Sequence, residues 1–176
     1  VSEQRNKEQI MSADKIQLSR ESAIKSMVLL KNENNILPLS KGKKVAYIGP
    51  MVKNQRDLIG NWSGAGDWTK AVSIWDDVVK RSGINPIGYA KGANVLDDPG
   101  LIKRLNDHDA RIVPDSKTPQ QLIEEAVATA ANADVIVCFV GEPFGMTGEA
   151  ASRSTVELPE NQKTLLREIK ALGKPV

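Results

Sequence analysis

The sequence contains one cysteine, one histidine and almost no excess of charge of either sign. Cys138 has no second cysteine to pair with, so an internal disulfide is impossible and a thiolate metal cluster is not expected. The chain has 24 Lys and Arg against 22 Asp and Glu, a net charge of +2, which excludes nucleic-acid binding driven by bulk charge. The longest apolar run, residues 135–140, is far shorter than the roughly 20 residues of a membrane-spanning helix. We therefore expect neither nucleic acid nor membrane as a partner.

The composition is that of a globular domain. Hydrophobic residues make up 40% and charged residues 26% of 176 residues, which supports one domain with a sizeable core and not a disordered chain. Residues 1–12 are polar and start at Val, and we interpret them as a segment that follows from something longer. The domain itself is expected over residues 13–176.

Three apolar runs predict β-strands: residues 45–48, 86–89 and 135–140. The last run is apolar on both faces, which is typical of a central parallel strand covered by helices. Helical patterns lie between and around the strands, at residues 13–31, 69–81 (closed by Gly83), 101–106, 119–132 and 159–172. Thr118 and Gln121 have the spacing of a capping box with Pro119 at the first helical position.

This alternation of strands and helices predicts an α/β fold, an open and mostly parallel sheet with helices on both faces. Residues 173–176 have the form of a helix stop before another strand, so we expect the sheet to be truncated at its C-terminal end.

Two loops that follow predicted strands, residues 60–67 and 142–153, are the candidates for a site, because a parallel sheet brings such loops to one edge. The second loop contains Glu142 and Glu149 among glycines and apolar residues. A carboxyl group shielded from water there can stay protonated and act as a general acid. Alternatively, Glu149 only pairs with Arg153 across one turn of a solvated loop.

Trp62 lies next to glycines, which let the backbone present an indole face to the apolar face of a sugar ring. The alternative is that this indole anchors the loop on the core, whereas Trp75 lies in a helical pattern and is expected in the core. His108 stands in a polar stretch without metal-ligating partners, and we assign it no role. Gly49-Pro50 is the nearest approach to a nucleotide-binding turn, but no phosphate-binding motif is present, so a nucleotide-binding domain is disfavoured.

Eight short motifs occur in order along the chain: Arg20-Glu21-Ser22, Val28-Leu29-Leu30-Lys31-Asn32, Ile36-Leu37-Pro38-Leu39, Val45-Ala46-Tyr47-Ile48-Gly49-Pro50, Gly60-Asn61-Trp62-Ser63, Ala133-Asp134-Val135-Ile136-Val137, Gly148-Glu149-Ala150-Ala151-Ser152-Arg153 and Leu158-Pro159-Glu160-Asn161-Gln162. Together they resemble the second, C-terminal α/β sandwich domain of glycoside hydrolase family 3, and within it the bacterial periplasmic β-glucosidases. The resemblance covers nearly the whole chain.

The resemblance implies an active site shared by two domains. A barrel domain of the same polypeptide would carry the sugar pocket and the nucleophilic aspartate, residues 1–12 would be the linker from it, and residues 13–176 would be part of the sandwich domain. The intact parent would be a retaining, exo-acting β-glucosidase that hydrolyses terminal β-D-glucosyl residues of a β-glucoside or oligosaccharide. It would need no cofactor and no metal, and it would be periplasmic or secreted.

The same resemblance assigns roles within this chain. Glu149 would be the general acid/base, Arg153 would hold its loop, and Trp62 would line the leaving-group subsite. Many family members have Asp-Arg where Ser152-Arg153 stands here, and Glu142 is the alternative carboxylate. The isolated chain would be inactive without the nucleophile. A non-catalytic α/β module that binds carbohydrate or serves as a scaffold is the alternative function.

Overall fold

The computed structural model describes residues 2–64, 66–80, 85–108, 110–149 and 151–176. The chain divides into two compact units, Val1–Pro38 and Leu39–Val176. The sequence-based division after residue 12 stays a prediction.

The first unit contains two helices, α1 (Glu3–Gln9) and α2 (Ala13–Ser26), and a short 3-10 helix, Glu33–Asn35. The prediction that the second helix continues to Lys31 is wrong, because Met27 already has an extended backbone with ψ 134°. Neither α-helix has a buried residue. Since packing supplies most of the stability of a protein helix, no contact among the described residues of this unit supports another turn.

The second unit is built on a three-stranded parallel sheet of β1 (Lys44–Ile48), β2 (Asn85–Ala90) and β3 (Val135–Cys138). The strand order is β2-β1-β3, so the middle strand is β1 and not β3. On its other side, β3 donates the Ile136 N–H to the Pro175 carbonyl at 2.9 Å. The three strand predictions and the parallel α/β fold class are therefore confirmed.

Four helices of this unit connect or flank the strands: α3 (Ile74–Val78), α4 (Pro99–Asn106), α5 (Pro119–Ala130) and α6 (Glu160–Ala171). Three 3-10 helices are found at Arg56–Ile59, Trp68–Lys70 and Phe144–Met146. No helix of the described segments is long and apolar enough to cross a membrane.

The prediction of one helix over residues 69–81 is wrong. The Asp67 side chain caps a 3-10 helix by accepting from the Thr69 N–H, and the Ser73 side chain starts α3 by accepting from the Asp76 N–H. These two caps divide the segment, because each begins a new run of backbone hydrogen bonds. The predicted helix end at Gly83 lies outside the described residues.

The prediction for α5 is confirmed in detail. The Thr118 hydroxyl accepts from the Gln121 N–H at 3.2 Å, and the Gln121 side chain accepts from the Thr118 N–H at 2.9 Å. Pro119 is at the first helical position, where its missing N–H removes no hydrogen bond.

Helices cover both faces of the sheet, as predicted. On one face, Ile48 and Ile136 pack with residues of α5 and α6, among them Leu165 and Ile169. On the other face, the cluster contains Val45, Tyr47 and Val52 of the strand and its following loop, with Ile74, Trp75 and Val78 of α3. The core position predicted for Trp75 is confirmed, since its ring packs edge-on against Tyr47 with centroids 6.2 Å apart.

Candidate active-site edge

The loops that leave the carboxyl ends of the three strands surround a cavity of about 340 Å³. In parallel α/β sheets this edge is where ligands bind. The cavity lining combines apolar side chains with polar and charged ones. It consists of Asn61 from the loop after β1, of Leu101, Arg104, Leu105 and His108 in and after α4, and of Phe144, Gly145, Met146, Thr147, Glu149, Ala151, Ser152 and Arg153 from the loop after β3.

Glu149 is exposed at the rim of this cavity. It follows Gly148, which has a φ of +101°, and the Ala151 N–H donates to the Gly148 carbonyl at 3.2 Å. Glu149 therefore stands at the corner of a tight turn, with its side chain presented away from the core. The shielding from water that was expected for this carboxyl group is not provided by the described residues.

Arg153 pairs with Glu142, not with Glu149, among the described residues. The Arg153 Nε also donates to the Thr155 carbonyl at 2.8 Å. Both ionic side chains are largely covered, with 25% of Arg153 and 19% of Glu142 exposed. The guanidinium thus joins the beginning and the end of the loop and leaves the Glu149 carboxylate at the cavity.

The two loops predicted to form one site do meet. The Asn61 Nδ2 donates to the Thr147 carbonyl at 2.5 Å, and the Asp57 Oδ1 accepts from the Phe144 N–H at 2.7 Å. The Arg56 guanidinium lies over the Phe144 ring, 3.8 Å from its centroid.

Trp62 is 78% exposed, so the interpretation of its side chain as a loop anchor on the core is wrong. It does not line the cavity itself but directly follows Asn61, which does. The indole is thus available to a ligand or to another surface beside the cavity.

The backbone at Gly49-Pro50 packs closely against the chain that follows β3. Gly49 has a φ of +124°, and a Cβ at this position would overlap the Phe139 carbonyl oxygen. The Met51 N–H donates to that same carbonyl at 3.2 Å. This close approach of two chain segments uses the amide that a phosphate-binding turn would need free.

Residues 27–176 match the family described as "Glycosyl hydrolase family 3 C-terminal domain". The chain belongs to glycoside hydrolase family 3. The predicted resemblance is therefore confirmed.

Relatives of this family 3 domain are considerably longer proteins. The chain is 42% identical over 159 residues to a "Periplasmic beta-glucosidase" of Salmonella typhimurium, covering 90% of this chain and 21% of that protein. It is 33% identical over 165 residues to a "Beta-xylosidase" of Formosa agariphila, covering 89% and 20%. A crystal structure of a Bifidobacterium adolescentis family 3 β-glucosidase covers 92% of this chain and 21% of that chain, with 30% identity and a TM-score of 0.69. The chain thus spans about a fifth of the length of these relatives.

Sequence reasoning assigned no role to Gln162, which is fully buried at the start of α6 of the family 3 domain. Its Oε1 accepts from the Gly141 N–H at 2.9 Å, and its Nε2 donates to the carbonyls of Gly141 at 2.7 Å and Val95 at 2.8 Å. One side chain therefore fixes the point where the chain leaves β3 relative to the loop after β2.

Asp57 was also missed. Its backbone N–H donates to the Asn54 Oδ1 at 3.0 Å, and its Oδ2 accepts from the Asn54 Nδ2 at 2.5 Å. The only sequence signal for this arrangement is the spacing of Asn54 and Asp57, which is common in turns. The long-range bond to Phe144 has no local signal.

His108 is exposed and lines the rim of the cavity, near Arg104. No group of three or more His, Cys, Asp or Glu within the described residues is arranged to hold a metal ion. The cavity lining includes Leu105 and Phe144 as well as Arg104 and Glu149, a combination that suits a ligand with both apolar and polar surface.

Proposed function

We propose that this chain is the acid/base-bearing domain of a retaining, exo-acting β-glucosidase that hydrolyses terminal β-D-glucosyl residues. Glu149 is the general acid/base. The observation that carries this proposal is the exposed position of Glu149 on a cavity at the carboxyl edge of the sheet, while Glu142, the alternative carboxylate, is paired with Arg153.

A retaining glycosidase uses two carboxyl groups about 5–5.5 Å apart. In the first step, a carboxylate of the barrel domain attacks the anomeric carbon while the Glu149 carboxyl group gives its proton to the departing glycosidic oxygen. In the second step, the Glu149 carboxylate takes a proton from water as that water attacks the anomeric carbon and releases the nucleophile. The chain alone, without the nucleophile, hydrolyses no glycoside.

The positions of the residues are compatible with the remaining assignments of the proposal. Arg153 holds the loop by its ion pair with Glu142. The exposed Trp62 indole forms part of the leaving-group subsite, where it stacks on the apolar face of a sugar ring. The barrel domain of the same polypeptide covers this edge and removes water from Glu149. The relative named as periplasmic supports a periplasmic or secreted location.

The test is hydrolysis of an aryl β-glucoside by the full-length protein, by Glu149→Ala and by a control, Glu124→Ala, in which an exposed carboxylate of α5 is removed. Glu149→Ala should release the covalent sugar slowly, and azide should restore turnover and form a glycosyl azide of retained configuration. The control should behave like the wild type.

Wild-type turnover by Glu149→Ala would exclude Glu149 from the mechanism. The same experiment on Glu142→Ala would then decide between Glu142 as the acid/base and a non-catalytic module. Azide rescue there would assign Glu142 as the acid/base, and unchanged turnover would favour the non-catalytic module.

The subsite assignment is tested with Trp62→Ala. Loss of the indole should raise KM for substrates with a second sugar or an aryl group more than it weakens inhibition by free glucose, because stacking acts on the leaving group alone. Equal weakening of both would place Trp62 outside the leaving-group subsite.

A further inference from the structure

The hydrogen bonds that the turn carrying Glu149 makes within its own loop are short-range: the Thr147 N–H and hydroxyl donate to the Phe144 carbonyl at 3.2 and 3.1 Å, and the Ala151 N–H donates to the Gly148 carbonyl at 3.2 Å. Residues Thr147, Gly148 and Glu149 are all exposed. The ion pair between Arg153 and Glu142 fixes the ends of the loop but not this tip. A general acid must meet the glycosidic oxygen within hydrogen-bond distance, and displacement by about 1 Å can cost roughly a hundredfold in rate. A contact from a second loop would therefore add to these short-range bonds in fixing the backbone next to Glu149.

Asn61 makes a long-range contact with this turn. Its side-chain amide donates to the Thr147 carbonyl, two residues before Glu149, although the two residues are 86 positions apart in the chain. Since Asn61 also lines the cavity, the contact lies at the site itself.

The loop that presents Asn61 is itself braced. The Gly60 N–H donates to the Asp57 carbonyl at 3.2 Å, and the Ser63 hydroxyl donates to the Gly60 carbonyl at 3.2 Å. Asp57, in turn, accepts from the Phe144 N–H. The loop after β1 is thus hydrogen-bonded to the loop after β3 at two residues, Phe144 and Thr147, which are three positions apart.

Gly148 shows how close this contact is. A Cβ built on Gly148 would overlap the Asn61 Nδ2, and the φ of +101° is one that side-chain-bearing residues rarely adopt. The Asn61 amide therefore lies against the backbone of the residue that precedes Glu149, and it limits the positions that this turn can take.

We propose that Asn61 is a positioning residue for the acid/base: its amide holds the Thr147 carbonyl and thereby fixes where Glu149 presents its carboxyl group to the leaving oxygen. This inference rests on the proposed function of Glu149. Removal of the amide leaves the Glu149 side chain intact but lets the turn that carries it move.

The test uses the full-length protein with two substrates, phenyl β-glucoside, whose leaving group needs a proton, and 2,4-dinitrophenyl β-glucoside, whose leaving group departs without one. In Asn61→Ala, kcat/KM for the phenyl substrate should fall about tenfold, the loss expected for one positioning hydrogen bond, and kcat/KM for the dinitrophenyl substrate should stay within about twofold. Asn132→Ala, which removes an exposed amide after α5, should change neither value. The ratio of the two values does not depend on how much of the variant is folded.

An equal loss on both substrates, or no loss on either, would overturn the positioning role. Glu149→Ala, measured with the same two substrates and azide, separates this result from the proposed function. If Glu149→Ala shows the leaving-group dependence and azide rescue while Asn61→Ala does not, only the positioning inference fails. If Glu149→Ala shows neither, both fail.

A second measurement uses Gly148→Ala, whose added Cβ displaces the turn from Asn61. This variant should show the same selective loss on the phenyl substrate. The double variant with Asn61→Ala should be no worse than Gly148→Ala alone, because one contact is broken in both. Losses that multiply in the double variant would contradict a shared contact.

Discussion

Replacement of Gln162 by Met tests whether hydrogen bonds, and not packing, hold the edge of the sheet together. Met has about the same volume and is unbranched, so the fully buried site stays filled. It cannot, however, accept from the Gly141 N–H or donate to the Gly141 and Val95 carbonyls. At about 1 kcal/mol for each of the three bonds, the free energy of unfolding should fall by about 3 kcal/mol.

Urea denaturation of the protein followed by tryptophan fluorescence measures this change as a lower midpoint at an unchanged slope. Gln120→Met is the matched control, because Gln120 is exposed on α5 and its side chain donates to that of the exposed Glu124. The control should stay within about 0.5 kcal/mol of the wild type. A loss below about 1 kcal/mol for Gln162→Met would refute the reasoning, since packing and not hydrogen bonding would then hold this edge of the sheet together.

Three further experiments, two with substitutions and one with a pH titration, test other parts of the fold. Thr118→Ala removes the N-terminal cap of α5 and should cost about 1 kcal/mol, measured by thermal unfolding. Gly49→Ala should be far more destabilising than Gly42→Ala in the same assay, because both glycines have positive φ but only at Gly49 would a Cβ overlap the Phe139 backbone. Burial raises the pKa of Tyr89 to about 12, so a spectrophotometric titration should find its ionisation well above 10. Because the folded state favours the neutral phenol, the free energy of unfolding should fall as pH rises from about 10 to 12.

The parts of the fold that the sequence predicted are those with a local cause. The Thr118 capping box begins α5 through hydrogen bonds with Gln121, three residues further on, so both partners can be identified from the local sequence. The apolar run at β3 has side chains in the clusters on both faces of the sheet, Ile136 on one and Val137 on the other. In these segments the short-range pattern and the tertiary environment agree.

The two wrong helix predictions have different physical causes. The apolar residues from Met27 to Leu30 continue the helical spacing of α2, but they are 64–92% exposed, and spacing alone does not make a helix without a surface to pack on. Between Asp67 and Val78, the spacing was right for one helix, but the polar side chains of Asp67 and Ser73 each capped a separate one. Apolar periodicity reports which residues share a face and does not report where the backbone is interrupted.

The same contrast between local patterns and tertiary contacts applies to the candidate site. Glu149, Trp62 and Arg153 could be proposed as site residues because they stand in short motifs, yet the alternative that paired Arg153 with Glu149 named the wrong partner. That choice depends on which of two carboxylates the folded loop brings to the guanidinium, and a spacing of four residues does not decide it.

The residues that hold the site in place are less visible still, because their partners are backbone groups far away in the chain. Asn61 and Thr147 are 86 positions apart, Asp57 and Phe144 are 87 apart, and Gln162 and Val95 are 67 apart. A backbone amide or carbonyl has no residue identity, so no motif at the partner position accompanies such a contact. The motif identifies the residue proposed as the acid/base, whereas its placement depends on amide and carboxylate side chains that only the fold brings to their partners. If catalysis demands placement within a fraction of an ångström, substitutions at Asn61 and Gln162 should matter to activity even though neither side chain is the proposed proton donor.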